Sequence, residues 1–317
     1  MTLLLKVSDL RVSYRTDEGI VRAVEGVSFT LERRKTLAVV GESGSGKSTL
    51  ALAIIGLLPR SVEVEGSIRF LDMELTGMKE EEIRKLRGDR ITIVFQEPMT
   101  ALNPVFTVGR FMKDIYLTHR EGSEEDALSL AMEWLGKVKV PGPEKVLNSY
   151  PHELSGGMRQ RVLIAASLML EPDLVLMDEP TSALDVSVQA QILRLIAELK
   201  SQVSASFIFI THNLGVAAAV GDEIAVMYAG KLVELASKRN LFEEPLHPYT
   251  KGLMKAVPRI RGGGVEPIPG SVPSLVNPPR GCRFHPRCPI ADERCREEEP
   301  ELRETRPGHW VACHKVG

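Results

Sequence analysis

Short apolar runs, set off by glycine-rich or charged turns, dominate the pattern of this chain. Thr36-Leu37-Ala38-Val39-Val40, Ile91-Thr92-Ile93-Val94-Phe95, Asp173-Leu174-Val175-Leu176-Met177-Asp178 and Ser206-Phe207-Ile208-Phe209-Ile210 have the length and composition of buried strands. Residues 5–14 and 27–32 alternate only partly and predict strands with one solvated face. Ser48–Ile55 reads as a helix, and Val188–Val203 as an amphipathic one. Positions 106–147 carry helical periodicity and many charges between Pro104 and Pro151. They predict a helical subdomain over about residues 97–160. Strands alternating with helices predict an α/β fold around a largely parallel sheet.

The pattern changes near the end of the chain. From about Pro258 to Pro289 the composition shifts to Pro, Gly and Arg, as in an irregular linker. All four cysteines, Cys282, Cys288, Cys295 and Cys313, lie beyond the start of that shift. We therefore expect one domain over residues 1–235 and a C-terminal extension over 236–317. At 317 residues the chain can bury a large core and still carry such an appendage.

Composition narrows the function classes. A net charge of −2 and 5% aromatic residues argue against a nucleic-acid partner. The apolar run in Met1-Thr2-Leu3-Leu4-Leu5-Lys6 is too short for a signal peptide, and no run approaches the ~20 apolar residues of a membrane span. The expectation is a soluble cytoplasmic protein that meets a membrane only through a partner.

The sharpest chemistry is Gly41-Glu42-Ser43-Gly44-Ser45-Gly46-Lys47-Ser48-Thr49, between a buried strand and a helix. Glycines at 41, 44 and 46 allow backbone N–H groups to turn toward phosphates at a helix start. Lys47 would neutralise β/γ-phosphate charge, and the Ser48 hydroxyl would ligate Mg²⁺. Asp178 closes a buried strand, where a carboxylate is costly unless it serves a cation. Glu179, one residue on, is the candidate general base.

These residues, with several others in order, resemble the nucleotide-binding subunits of ABC transporters. Residues 41–49 correspond to Walker A and 174–179 to Walker B. Leu154-Ser155-Gly156-Gly157 corresponds to the signature, and Gln96 to the Q-loop. Ser182-Ala183-Leu184-Asp185 corresponds to the D-loop, and His212 to the H-loop. The likeness covers roughly residues 5–235. It implies that Gln96 ligates Mg²⁺ or the attacking water, that His212 contacts the γ-phosphate, and that Tyr14 stacks on adenine. It also implies that Ser155, Gly156 and Gly157 act on ATP held by a second ATPase subunit. Met158 departs from the family, where Gln is common.

The four cysteines are separated by five, six and seventeen intervening residues, which matches neither zinc-finger nor ferredoxin patterns. A reducing compartment disfavours disulfides. Neighbouring Arg283, Arg287, Arg294 and Arg296 would favour thiolates and could donate hydrogen bonds to the sulfurs. Chemistry alone suggests a four-thiolate site without naming the metal.

Residues 246–253, 269–273 and 281–289 resemble the oligopeptide/dipeptide importer ATPases. That resemblance points to a 4Fe–4S cluster on the four cysteines, with Zn²⁺ as the alternative. It implies an ATPase that powers peptide import at the cytoplasmic face of the membrane as a peripheral subunit. Its partners would be a second ATPase subunit (a paralogue or a second copy), two transmembrane permease subunits and, indirectly, an extracytoplasmic solute-binding protein. A nickel complex or oligosaccharide as solute, or a soluble non-transport ABC ATPase, are the alternatives.

Overall fold

The computed structural model describes residues 2–256 and 266–316; the expected linker falls partly outside them. The chain begins with β1 (Leu3–Thr16), β2 (Gly19–Glu32), β3 (Thr36–Val40), α1 (Lys47–Ile54), β4 (Glu63–Phe70) and β5 (Met73–Glu74). There follow α2 (Glu80–Leu86), β6 (Ile91–Val94), α3 (Pro98–Ala101), α4 (Val108–His119), α5 (Glu124–Lys137), α6 (Pro143–Leu147) and α7 (Gly156–Leu168). Next come β7 (Leu174–Asp178), α8 (Val186–Gln202), β8 (Ser206–Thr211), α9 (Leu214–Val220), β9 (Glu223–Tyr228) and β10 (Lys231–Ser237). The last elements are α10 (Lys238–Glu243), α11 (Pro248–Lys255), α12 (Glu293–Glu297), β11 (Arg303–Arg306) and β12 (His309–Val311). They form two compact units, one of residues 1–77 with 209–317 and the other of residues 78–208.

In the first unit, β1 pairs antiparallel with β2 and with β4. Its sequence alternates only in part because Leu5 and Val7 are buried at odd positions, and Leu10 and Val12 at even ones. The change of parity falls at a register shift between Val7 and Leu10, where Asp9 takes φ 46°. A bulge there keeps both halves of the strand facing the core. A second group of strands contains the fully buried β3, parallel to β9, then β10 antiparallel to β9. Beyond β10, β12 and then β11 add on antiparallel.

The same unit ties its tail to β10 through a buried carboxylate. Glu234 is wholly buried and accepts from the Leu246 and His247 amides at 2.7 and 2.9 Å. Its Oε1 also lies 2.7 Å from Nε2 of buried His309 on β12. A buried carboxylate survives only when its oxygens are satisfied in this way.

In the second unit, β6 runs parallel to β7, and both are largely buried. The region read as one helical stretch over 106–147 divides into α4, α5 and α6. Ser123 restarts the helix at α5 by a reciprocal cap, accepting from the Asp126 amide at 3.0 Å while Asp126 accepts from the Ser123 amide at 2.8 Å. α8 buries Ile192, Leu195, Ile196 and Leu199, one helical face. Among the described residues no helix is long and apolar enough to cross a membrane.

Candidate nucleotide site

The glycine loop leaves β3 at Gly41 and enters α1 at Lys47. Its glycines are required for different reasons. A Cβ on Gly41 would stand 2.2 Å from the Met227 carbonyl oxygen, and one on Gly46 2.1 Å from that of Ala23. Gly46 is also at φ 96°, and Gly44 at φ 77°, in the region that side chains avoid. Nothing crowds Gly44. So the loop is pressed on its protein side and open at 43–44, where Ser43 and Gly44 are exposed.

Lys47 is buried, and its ammonium donates to the carbonyls of Gly41 and Glu42 at 2.8 and 2.9 Å. Ser45 Oγ lies 3.4 Å away. The cation is thereby fixed inside the curl of its own loop. Ser48 is exposed at the first turn of α1, where a hydroxyl can reach a cation. The cradle, its cation and its hydroxyl fit a magnesium nucleotide. On β1, the Tyr14 hydroxyl stands 3.3 Å from the Thr49 hydroxyl, so the ring lies beside the cradle helix. His212 is exposed, one residue beyond β8, in a turn fixed by Asn213, which caps α9.

The other expected residues lie in the second unit. Asp178 ends β7 and is buried; Glu179 follows at φ 44°. A non-glycine residue in that region costs free energy that the surroundings must offset. Here the Glu179 carbonyl accepts from the Ser182 amide at 3.2 Å and its hydroxyl at 3.1 Å, closing the turn. Gln96 is exposed just past β6. Ser155 caps α7, its Oγ accepting from the Met158 amide at 3.3 Å.

Gly156 and Gly157 make room for neighbours. Added Cβ atoms would lie 3.3 Å from Leu184 and 2.8 Å from Val188. Ser155, Gly156, Gly157, Leu184 and Asp185 share the lining of one cavity of about 460 Å³. The signature and the D-loop, separate in the sequence, thus border the same space.

The tail departs from expectation. Cys282, Cys288, Cys295 and Cys313 are free thiols, and the Cys282 amide donates to the Cys295 carbonyl at 2.9 Å. Yet among the described residues no group of three or more His, Cys, Asp or Glu is arranged to hold a metal ion. The expected 4Fe–4S or Zn²⁺ site is therefore not supported. Burial pushes Cys282 up to about 11 and raises Cys288 and Cys313, with the neighbouring cysteines adding to it. The arginines that were to favour thiolates are engaged elsewhere. Arg283 bonds the Ala229 carbonyl, Arg287 bonds Glu42, and Arg294 bonds Glu298. Sequence reasoning also missed Tyr249, whose hydroxyl accepts from the Glu42 amide at 3.0 Å. It lies in the 246–253 segment, which the sequence marked only by resemblance.

Comparison with known proteins agrees with this geometry. The family model described as "ABC transporter" matches residues 24–182, and "Oligopeptide/dipeptide transporter, C-terminal region" matches 233–295. A probable peptide ABC transporter ATP-binding protein of Sinorhizobium fredii is 48% identical over 98% of this chain and 94% of its own. The oligopeptide transport ATP-binding protein OppD of Salmonella typhimurium is 46% identical over 99% of this chain and 94% of its own. The dipeptide transport ATP-binding protein DppD of Bacillus subtilis is 46% identical over 99% and 95%. A bacterial ABC transporter cassette solved as a dimer superposes with TM-score 0.67 and 28% identity, over 74% of this chain and 99% of that one. With a nucleotide cradle of this geometry and relatives matched over nearly its whole length, the chain belongs to the ABC transporter family, among the oligopeptide/dipeptide ATP-binding subunits.

Proposed function

We propose that this chain hydrolyses ATP to drive import of di- and oligopeptides through partner membrane subunits. The observation that carries the reading is the Lys47-centred cradle in a chain whose 233–295 region matches the oligopeptide/dipeptide family. Lys47 and the loop amides hold the phosphates. By resemblance to the family, Ser48 and Gln96 would hold Mg²⁺ and Asp178 would support it, and the ion when bound would draw off phosphate charge. Glu179 takes the proton of the attacking water, and His212 holds the γ-phosphate.

Ser155, Gly156 and Gly157 face the nucleotide of a second ATPase subunit, so that ATP binding closes a dimer and hydrolysis reopens it. A dimeric relative and the small-residue opening bordered by the signature and the D-loop support this. Two permease subunits and, through them, an extracytoplasmic solute-binding protein complete the assembly, with this subunit peripheral on the cytoplasmic side.

Glu179→Gln in the purified chain is expected to bind ATP normally and to lose nearly all turnover. Full turnover would remove Glu179 as the base. In cells carrying the whole transporter, Lys47→Ala should abolish uptake of a labelled tripeptide. Intact peptide uptake with loss of nickel-chelate or oligosaccharide uptake would reassign the solute.

A further inference from the structure

The phosphate loop is held from behind by the C-terminal extension, and the joint is Glu42. The Arg287 guanidinium grips the Glu42 carboxylate with both arms, NH1 to Oε2 at 2.7 Å and NH2 to Oε1 at 3.1 Å. Arg287 is itself buried and immobilised. Its Nε donates to the Pro269 carbonyl at 2.8 Å, NH2 to that of Ile268 at 3.3 Å and NH1 to the Tyr228 hydroxyl at 3.4 Å. All five N–H donors of the fork are used, a pattern that lysine cannot reproduce.

The Glu42 backbone is held as well. Its amide donates to the Tyr249 hydroxyl, and Tyr249 is locked in an aromatic cluster with Tyr228 and Phe284, at centroid distances of 4.7 and 5.4 Å. The Glu42 carbonyl is the oxygen on which Lys47 Nζ rests at 2.9 Å, and it accepts from the Ser45 amide at 3.2 Å. One residue therefore carries the tail on its carboxylate and amide, and the phosphate-binding lysine on its carbonyl.

We propose that Arg287 is a positioning residue for the phosphate-binding loop, through which the C-terminal extension sets the loop's affinity for nucleoside triphosphate. This rests on the nucleotide reading of the cradle. Two effects act in the same direction. The fork orients the Glu42 carbonyl against which Lys47 is placed, and it neutralises a carboxylate that would otherwise stand at the edge of a polyphosphate site.

The test is ATP affinity by titration calorimetry, with kcat and KM, on the full chain as wild type, Arg287→Lys, Arg287→Ala, Glu42→Gln and Arg287→Ala/Glu42→Gln, with the thermal midpoint of each. Arg287→Ala is expected to weaken ATP binding and raise KM by about tenfold or more, with kcat at saturating ATP changing far less. Arg287→Lys should recover only part of the loss. The double variant should bind ATP better than Arg287→Ala alone, because the unpaired carboxylate is gone. Unchanged affinity and KM in folded Arg287→Ala, with only a lower thermal midpoint, would overturn the proposal. Should Arg287→Ala not fold, Arg287→Lys decides alone: it keeps the charge but cannot reproduce the five-donor fork, and wild-type ATP affinity in it would also overturn the proposal. Wild-type protein that binds no ATP would instead remove the nucleotide reading itself.

Discussion

The hydroxyls of Tyr14 and Thr49 stand 3.3 Å apart, which ties the β1 ring to the first turns of the cradle helix. A ring so placed can serve nucleotide in two separable ways, by its face or by its hydroxyl. If Tyr14 stacks on adenine, Tyr14→Phe keeps ATP affinity within about threefold, and Tyr14→Ala loses about tenfold or more. Equilibrium titration with ATP reads both. Equal losses in the two variants would assign the effect to the hydroxyl and its hold on Thr49.

The two left-handed glycines of the loop separate backbone strain from crowding. Gly44→Ala meets nothing nearby and should cost about 1–2 kcal/mol, the penalty of a left-handed backbone alone. Gly46→Ala carries the same penalty plus a Cβ 2.1 Å from the Ala23 carbonyl oxygen. It should destabilise far more and abolish ATP binding. Denaturant midpoints and ATP titration on the pair test this, and comparable costs at the two positions would be wrong for this loop.

Buried His247 links stability to pH. Its Nδ1 accepts from the Tyr249 amide at 3.0 Å, so the ring must be neutral there. Burial, aided by the Lys251 charge, lowers it from 6.5 to about 3. The unfolded chain therefore binds more protons than the folded one between these values. Stability contributed by the neutral ring is complete above pH 6.5 and is lost as pH falls toward 3, by up to about 1.4 kcal/mol per pH unit. Urea unfolding across that window should show a shallower pH dependence in His247→Asn, which can still cap α11. Identical slopes would exclude His247 as a source.

The half-buried Cys282 thiol is expected to stay neutral. With Cys282 raised to about 11 from 9.0, its thiolate is about a hundredfold scarcer at neutral pH than for an ordinary cysteine. Iodoacetamide should label it slowly in the native chain and rapidly in denaturant. Iron with acid-labile sulfide in protein purified without oxygen would contradict this and restore the cluster reading.

The sequence disclosed the cradle and most of the buried strands because those signals are local. Gly41 to Thr49 is contiguous, and β3, β7 and β8 are each an unbroken apolar run that only a two-sided burial explains. β2 extends well before the expected 27–32 because a register shift at Val24–Val27, with Gly26 at φ 68°, breaks its alternation there. The Arg287–Glu42 contact was illegible for another reason. Its partners are 245 residues apart, and no periodicity reports on a pairing that exists only when the tail folds back. The thiols misled because the arginines beside them in sequence point to other acceptors in space.

The outermost strand of the first unit, β11, reads Arg-Glu-Thr-Arg, and the short β12 joins it to β10. Charges on a sheet margin discourage it from pairing with another molecule. A chain shortened to stop after β10 would present that strand's unpaired backbone in place of the charged margin. Copies of such a fragment are therefore expected to pair with one another more readily than the whole chain does, so this charged margin doubles as a guard against self-association.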